Sequence, residues 1–209
     1  MLYTLDMSEA LNSNPELEKV ISRIADVMKK TDRSILVALD GRSGTGKSTI
    51  AKKIAERLGG VGINADDFWA GGSNEEWDKK IPKEKAETAI DWKRIKTEVL
   101  EPLLSGSSAT WHPFNWKAGK GLSSNVIQRN PSPLIILDGA YSTRPELQDI
   151  IDISILIEVP DDVKRRARLA ERENEEYMKD WHKRWDVAED YYFSQVRQRD
   201  LFDMIISNP

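Results

Sequence analysis

Residues 34–48, SILVALDGRSGTGKS, decide the fold. A short β-branched apolar run ends at Gly41, a glycine loop follows, and STIAKKIAERL (48–58) then shows helical periodicity before stopping at Gly59 and Gly60. The order is strand, loop, helix. The loop fits G-x-x-x-x-G-K-[ST], a phosphate-binding pattern whose condition is that it follow a strand and open a helix. Its glycines let the backbone turn and approach phosphate, and successive N–H groups and the helix N-terminus present partial positive charge. Lys47 is placed to reach the β and γ phosphates, and Ser48 to offer a hydroxyl to magnesium. The expected nucleotide-binding set is Gly41, Arg42, Ser43, Gly44, Thr45, Gly46, Lys47, Ser48 and Thr49, with ATP and Mg2+ as cofactors.

Outward from this unit, Leu17, Val20, Ile21, Ile24, Val27 and Met28 recur at helical spacing, with Asn14 as N-cap and Pro15 opening the helix. Residues 1–30 are therefore expected to form a helical extension before a domain spanning 31–209. Further strands are expected at 61–65 (VGINA), 133–139 (PLIILDG), 153–159 (ISILIEV) and 202–207 (FDMIIS), with a helix over Asp91–Leu104 and charged helical sequence over 161–199. Apolar strands alternating with helices predict an α/β fold with a parallel sheet covered on both faces. Residues 66–82 and 111–125 mix Gly, Pro, Trp and charge without either period, and they read as loops at a site.

Composition narrows the class. The 209 residues suffice for one substantial core, and with no cysteine there is no thiol nucleophile, disulfide or thiolate zinc site. Two histidines, His112 and His182, are too few and too far apart for a metal centre. A net charge of -4 argues against nucleic acid as partner. The first residues carry Asp6 and Glu9 before any basic residue and no signal-like apolar core, and no apolar run approaches a membrane span, so a cytoplasmic chain without a membrane partner is expected. Composition leaves the oligomeric state open.

A phosphate loop needs a carboxylate near the magnesium at the end of a neighbouring strand, and Asp138, closing PLIIL before Gly139, is the candidate. The alternative is an Asp starting a turn. Guanine selectivity usually shows as Asn-Lys-x-Asp and transporter ATPases carry Ser-Gly-Gly; neither occurs. The discriminating segment is Ala65-Asp66-Asp67-Phe68-Trp69, directly after the second strand. A kinase acting on a hydroxyl needs an acceptor for its proton, and Asp66 stands where a strand-end carboxylate can take it. Capping of a short helix is the competing explanation.

Together the P-loop, the DDFW segment, the LDG strand end and an arginine-rich helix resemble the uridine kinase and nicotinamide riboside kinase branch of P-loop kinases, over roughly residues 34–207. The resemblance implies a five-stranded parallel sheet with the P-loop strand central and a helical lid. It makes Asp66 the base, also close to the magnesium, and matches Asp138 to the family's strand-end acid, commonly Glu.

The arginine-rich segment is KRRARLAERE (164–173), in which Arg165, Arg168 and Arg172 share a helical face. Lid arginines in such kinases stabilise the transferring phosphoryl charge, and Arg168 and Arg172 are the catalytic candidates. The bland alternative is a solvated face whose arginines pair with Glu171, Glu173, Glu175 and Glu176. Trp181, Trp185, Ala188 and Tyr192 repeat at helical spacing and read as packing residues. The acceptor pocket departs from the family: where uridine kinases have a Tyr-Asp pair and a following histidine, this chain has His112-Pro-Phe-Asn115-Trp116. Uracil recognition is not supported. Asp67, Phe68, Trp69, His112, Asn115 and Trp116 are the expected acceptor-binding residues, the aromatics to stack on a flat acceptor and the polar groups to hydrogen-bond it.

The expectation is a kinase transferring the γ-phosphoryl group of ATP to a hydroxyl of a small, nucleoside-like molecule. Its rivals are a kinase of another metabolite or an antibiotic, and a P-loop NTPase that switches a partner.

Overall fold

A computed structural model describes residues 14–172, 178 and 180–209. Helix α1 (Pro15–Met28) begins where the sequence predicts: the Asn14 side chain accepts from Glu16 N at 2.9 Å and Leu17 N at 3.3 Å. Strand β1 (Ile35–Asp40) leads through the glycine loop into α2 (Lys47–Leu58), which stops at Gly59 in the left-handed region. Then come β2 (Val61–Asn64), a 3-10 turn (Ala65–Phe68), α3 (Asn74–Lys79) and α4 (Pro82–Thr88). Turns Trp92–Arg94, Ile95–Leu100 and Glu101–Leu104 run on as α5, the middle one a π-helix. Strands β3 (Ala109–Trp111) and β4 (Ile127–Arg129) precede β5 (Leu134–Asp138) and β6 (Ile153–Glu158). Helix α6 (Asp162–Arg172), the helical turns 182–196 that form α7, and β7 (Met204–Ser207) complete the chain.

The main sheet has five strands in the order β2-β5-β1-β6-β7, all parallel, with the P-loop strand central. Strands β1, β5 and β6 bury both faces, which is why they read as continuous apolar runs rather than alternating ones. Ile35, Val37, Leu39, Ile136 and Ile155 pack under α1 and α2, whereas Leu36, Ile135 and Leu137 face the aromatic side with Phe68, Trp77 and Trp111. The register sets Leu39 and Asn64 beside Asp138, so β1, β2 and β5 end level at their carboxyl edge. At that edge of a parallel sheet α/β ligands bind.

Two expectations need correction. Residues 66–82 are not an irregular loop: the 3-10 turn, α3 and the start of α4 lie there. Ser73 and Glu76 form a reciprocal capping box for α3, and Trp77 is buried. Helices of one to two turns are too short to display a period. The 111–125 segment does run as a loop from Trp111 onward, connecting β3 and β4 of a small antiparallel hairpin and pinched by a Phe114–Leu122 bridge. Finally, α1 is no appendage, because Leu17, Val20, Ile21 and Ile24 are buried with α2 and Asn14 Nδ2 donates to Ser207 O of β7 at 3.0 Å. Residues 1–13 of the expected extension lie outside the described residues, as do Glu173, Glu175 and Glu176. Among the described residues no helix is long and apolar enough to cross a membrane.

Candidate active site

The loop between β1 and α2 is held from three directions. Gly44 takes φ +84°, and a side chain there would come within 2.7 Å of Arg165 O, so the position demands glycine. Lys47 Nζ donates to Gly41 O at 2.8 Å and Arg42 O at 2.9 Å, which keeps the ammonium over the loop. Ser43 donates through N (2.9 Å) and Oγ (2.6 Å) to Glu189 of α7. Asn208 Nδ2 donates to Thr45 O at 2.8 Å, seating the chain's last residues on the loop.

Beneath the loop lies a hub that the sequence reading missed. Asp40 is fully buried; one oxygen accepts from Gly41 N (2.8 Å) and Tyr141 N (2.8 Å), the other from Thr143 N (3.0 Å), Thr143 Oγ1 (2.7 Å) and Tyr192 OH (3.0 Å). Burial pushes its carboxyl upward, opposed by the Thr143 and Gly41 bonds and by Lys47. The hub also holds Tyr141 at φ 70°, a conformation unusual for a residue with a side chain. An acid ending an otherwise apolar strand was the available signal.

Ser48 Oγ donates to Asp138 Oδ1 at 3.0 Å, so these two expected metal ligands stand together. Burial pushes the Asp138 carboxyl up to about 6, opposed by Ser48 and Lys47 and reinforced by the nearby charges of Asp66 and Asp67. Asp66 therefore lies within electrostatic reach of the pair. Among the described residues no three acidic or histidine side chains converge as a self-sufficient metal cage. This fits magnesium, which is usually held by one or two carboxylates while phosphates and waters complete its shell. Ser48 and Asp138, hydrogen-bonded at the loop mouth, are such a partial set.

A cavity of about 560 Å³ opens on the aromatic side of the loop, lined among others by Ser43, Asp66, Asp67, Tyr141, Arg172 and Glu189. Trp69, Trp116, Trp181 and Trp185 form much of its wall. The Trp69 and Trp116 rings are 5.9 Å apart and tilted by 32°, and Trp185 meets Trp69 edge-on at 5.2 Å. Asp67 is fixed, its Oδ2 accepting from Trp111 Nε1 at 3.0 Å and its carbonyl from Phe114 N. Burial raises its pKa, Trp111 opposes, and Asp66 adds to the rise. A second cavity of about 300 Å³ lies against Arg42, Thr45, Arg165, Phe193 and Arg199.

The structure thus brings Asp66, Asp67, Trp69, Trp116 and Arg172 into one cavity. It does not bring the other expected acceptor residues there. Phe68 is fully buried against Trp111, His112 Nδ1 faces Ser123 O at 3.0 Å, and Asn115 Oδ1 accepts from Ala118 N at 3.0 Å, so these three shape the surrounding chain. The arginine face of α6 is divided: Arg165 is buried and donates to Ser43 O (2.9 Å) and Asp162 (2.7 Å), and Arg168 reaches the carbonyls of Asn208 and Pro209. Trp181 and Trp185, expected only to pack, line the cavity as well. Their helical spacing marked them as one face without saying what the face met.

The AAA domain family model matches residues 37–191. A protein named uridine kinase from Halobacterium salinarum is 24% identical over 140 residues, covering 65% of this chain and 61% of its own length. This chain therefore spans about three fifths of that relative. A uridine kinase from Ligilactobacillus salivarius is 24% identical over 165 residues, covering 70% of each chain. A solved structure described as a possible uridine kinase from Bacillus stearothermophilus superposes with a TM-score of 0.64 at 18% identity, covering 90% of this chain and 100% of the other.

Proposed function

Because this chain belongs to the AAA domain family and has the P-loop kinase fold, we propose that it transfers the γ-phosphoryl group of ATP to a hydroxyl of a small molecule. The observation that carries the reading is that Asp66 lines the same cavity as Ser43 of the P-loop, close enough to Asp138 to shift its carboxyl. A carboxylate so placed faces both the phosphate loop and a space able to hold an acceptor.

The loop amides and Lys47 bind the phosphates, and the smaller cavity beside Arg42 and Arg199 accommodates the donor's nucleoside part. Ser48 and Asp138 would hold magnesium, which when bound neutralises charge on the phosphates. Asp66 orients the acceptor hydroxyl and takes its proton. Arg172, on the cavity wall, meets the charge of the transferring group, and the tryptophans exclude the water that would otherwise be phosphorylated in the acceptor's place.

Turnover of ATP and magnesium across a panel of alcohols tests this. Strong stimulation by one acceptor, with a phosphorylated product, supports a kinase. Hydrolysis that stays flat across the panel makes the chain a nucleotide switch instead.

A further inference from the structure

Glu189 is 1% exposed and lines the acceptor cavity, yet only one of its oxygens is used. Oε1 accepts both Ser43 bonds, while Oε2 is buried with no hydrogen-bond partner among the described residues. A buried carboxylate oxygen left without a partner is costly, so native structures match such groups with a donor or a counter-charge. The same cavity holds Asp66 and Asp67 and, among its lining residues, one basic side chain, Arg172. Of its neutral polar groups, Asn64 Oδ1 accepts from Asp66 N, Ser43 Oγ donates to Glu189, and the Tyr141 hydroxyl lies within electrostatic reach of Glu189. Beside Ala89, Ile90 and Ala140, the rest of the wall is the indole set of Trp69, Trp116, Trp181 and Trp185. Indole faces attract cations most strongly of the aromatic side chains. Trp77, which packs on Trp69 and Trp185, already carries the Lys80 ammonium 3.8 Å from its ring centroid.

We propose that the acceptor is a cationic alcohol, bearing a protonated amine or a quaternary ammonium group held between the Glu189 carboxylate and the tryptophan wall while its hydroxyl faces Asp66. A neutral donor would satisfy Oε2 but add no charge to a wall that carries three carboxylates and one guanidinium; a cation answers both. An anionic acceptor meets repulsion from the same carboxylates. Lys47 and Arg165 are the cations facing Glu189 from the loop and α6, and Arg42 is held by Asp190. This inference rests on the kinase reading for the identity of the ligand as a phosphate acceptor, but the cation site itself is testable apart from catalysis.

Binding is read first, by tryptophan fluorescence at constant ionic strength, with tetramethylammonium chloride against tert-butanol, its neutral counterpart. Saturable quenching by the cation at a concentration at least tenfold lower is expected; equal or absent responses overturn the cation site. Transfer is read next with matched pairs, choline against 3,3-dimethylbutan-1-ol and glucosamine against glucose. Phosphorylation that favours the charged member by about tenfold or more in kcat/KM supports the proposal. Equal or better use of the neutral member overturns it while leaving the kinase reading intact. Cation binding with no transfer to any alcohol leaves the site standing and removes the kinase reading. Glu189→Gln should raise the tetramethylammonium Kd about tenfold. Trp116→Ala, at a ring 55% exposed and outside the core, should raise it several-fold with the fold unharmed. If neither variant weakens cation binding, the site is not where we place it.

Discussion

At the scale of single residues, the two neighbouring acids after β2 separate by what they touch. Asp67 is tied to Trp111 and half-buried, whereas Asp66 sits on the cavity with Asp138 in electrostatic reach. Asp66→Asn is nearly isosteric but takes up no proton at neutral pH, so phosphoryl transfer should fall by roughly 10²- to 10⁴-fold with ATP affinity largely kept. Asp67→Asn should be milder, and pre-steady-state transfer assays on both variants check the order; the reverse order assigns the base to Asp67. Asp138 gives a pH signature in protein free of metal and nucleotide. Its folded-state carboxyl, raised to about 6, binds a proton that the unfolded chain releases near the usual Asp value of 3.8. Stability from this group is therefore full below about pH 4 and lost as pH rises through about 6. Asp138→Asn should be comparable to wild type near pH 4 and relatively more stable near pH 7, by up to ~3 kcal/mol. Denaturant midpoints of both proteins across that range test it, and a difference that stays constant with pH refutes it.

At the scale of elements, the site depends on how closely the ends of β5 and β2 approach. Gly139, at φ +155°, has no room for a side chain: a Cβ would lie 2.5 Å from that of Ala65, the first residue of the turn carrying Asp66. Gly139→Ala should cost roughly 1–3 kcal/mol of stability and displace that turn, so transfer falls more than nucleotide binding. Comparing the ATP Kd with the single-turnover rate separates the two effects. Arg165, Arg168 and Arg172, the three arginines on one face of α6, have three different duties. Arg172→Ala should lower kcat by about 10²-fold, the magnitude of one lost electrostatic stabiliser. Arg168→Ala, at a side chain bound to the C-terminal carbonyls, should change kcat by a few fold at most. Arg165→Ala should weaken nucleotide binding, because its guanidinium links Ser43 O to Asp162 and Asp186 and so braces the loop. Equal losses of kcat in all three variants would mean that α6 acts only as a scaffold.

At the scale of the whole molecule, α1 and β7, from opposite ends of the described chain, close one side of the sheet. Ile24 is fully buried there, so Ile24→Ala should cost about 2–5 kcal/mol and lower Tm by roughly 10 °C. Thermal melts with and without ATP check this, since the substitution is remote from the loop and the stabilisation by nucleotide should persist. The P-loop and the order of strands and helices were legible in the sequence because both rest on local chemistry: glycines where the backbone must turn, apolar runs where both faces are covered, a lysine and a hydroxyl at fixed spacing. The place of Asp138 was legible for a related reason, since an acid ending an apolar strand comes out at the sheet's carboxyl edge whatever the rest of the chain does, and Asp66 follows in the turn just after β2. Tertiary structure alone decided the remainder. Helical spacing put Arg165, Arg168 and Arg172 on one face, but whether each met the loop, the chain end or the cavity depended on elements some 40 to 120 positions away, such as Asn208 and Ser43. Likewise the meeting of Glu189 with Ser43, of Trp181 and Trp185 with Trp69, and of Asp40 with Thr143 and Tyr192 joins segments that no local period relates. Periodicity states which residues share a side of an element; what that side faces is set by packing, and packing here built the cavity.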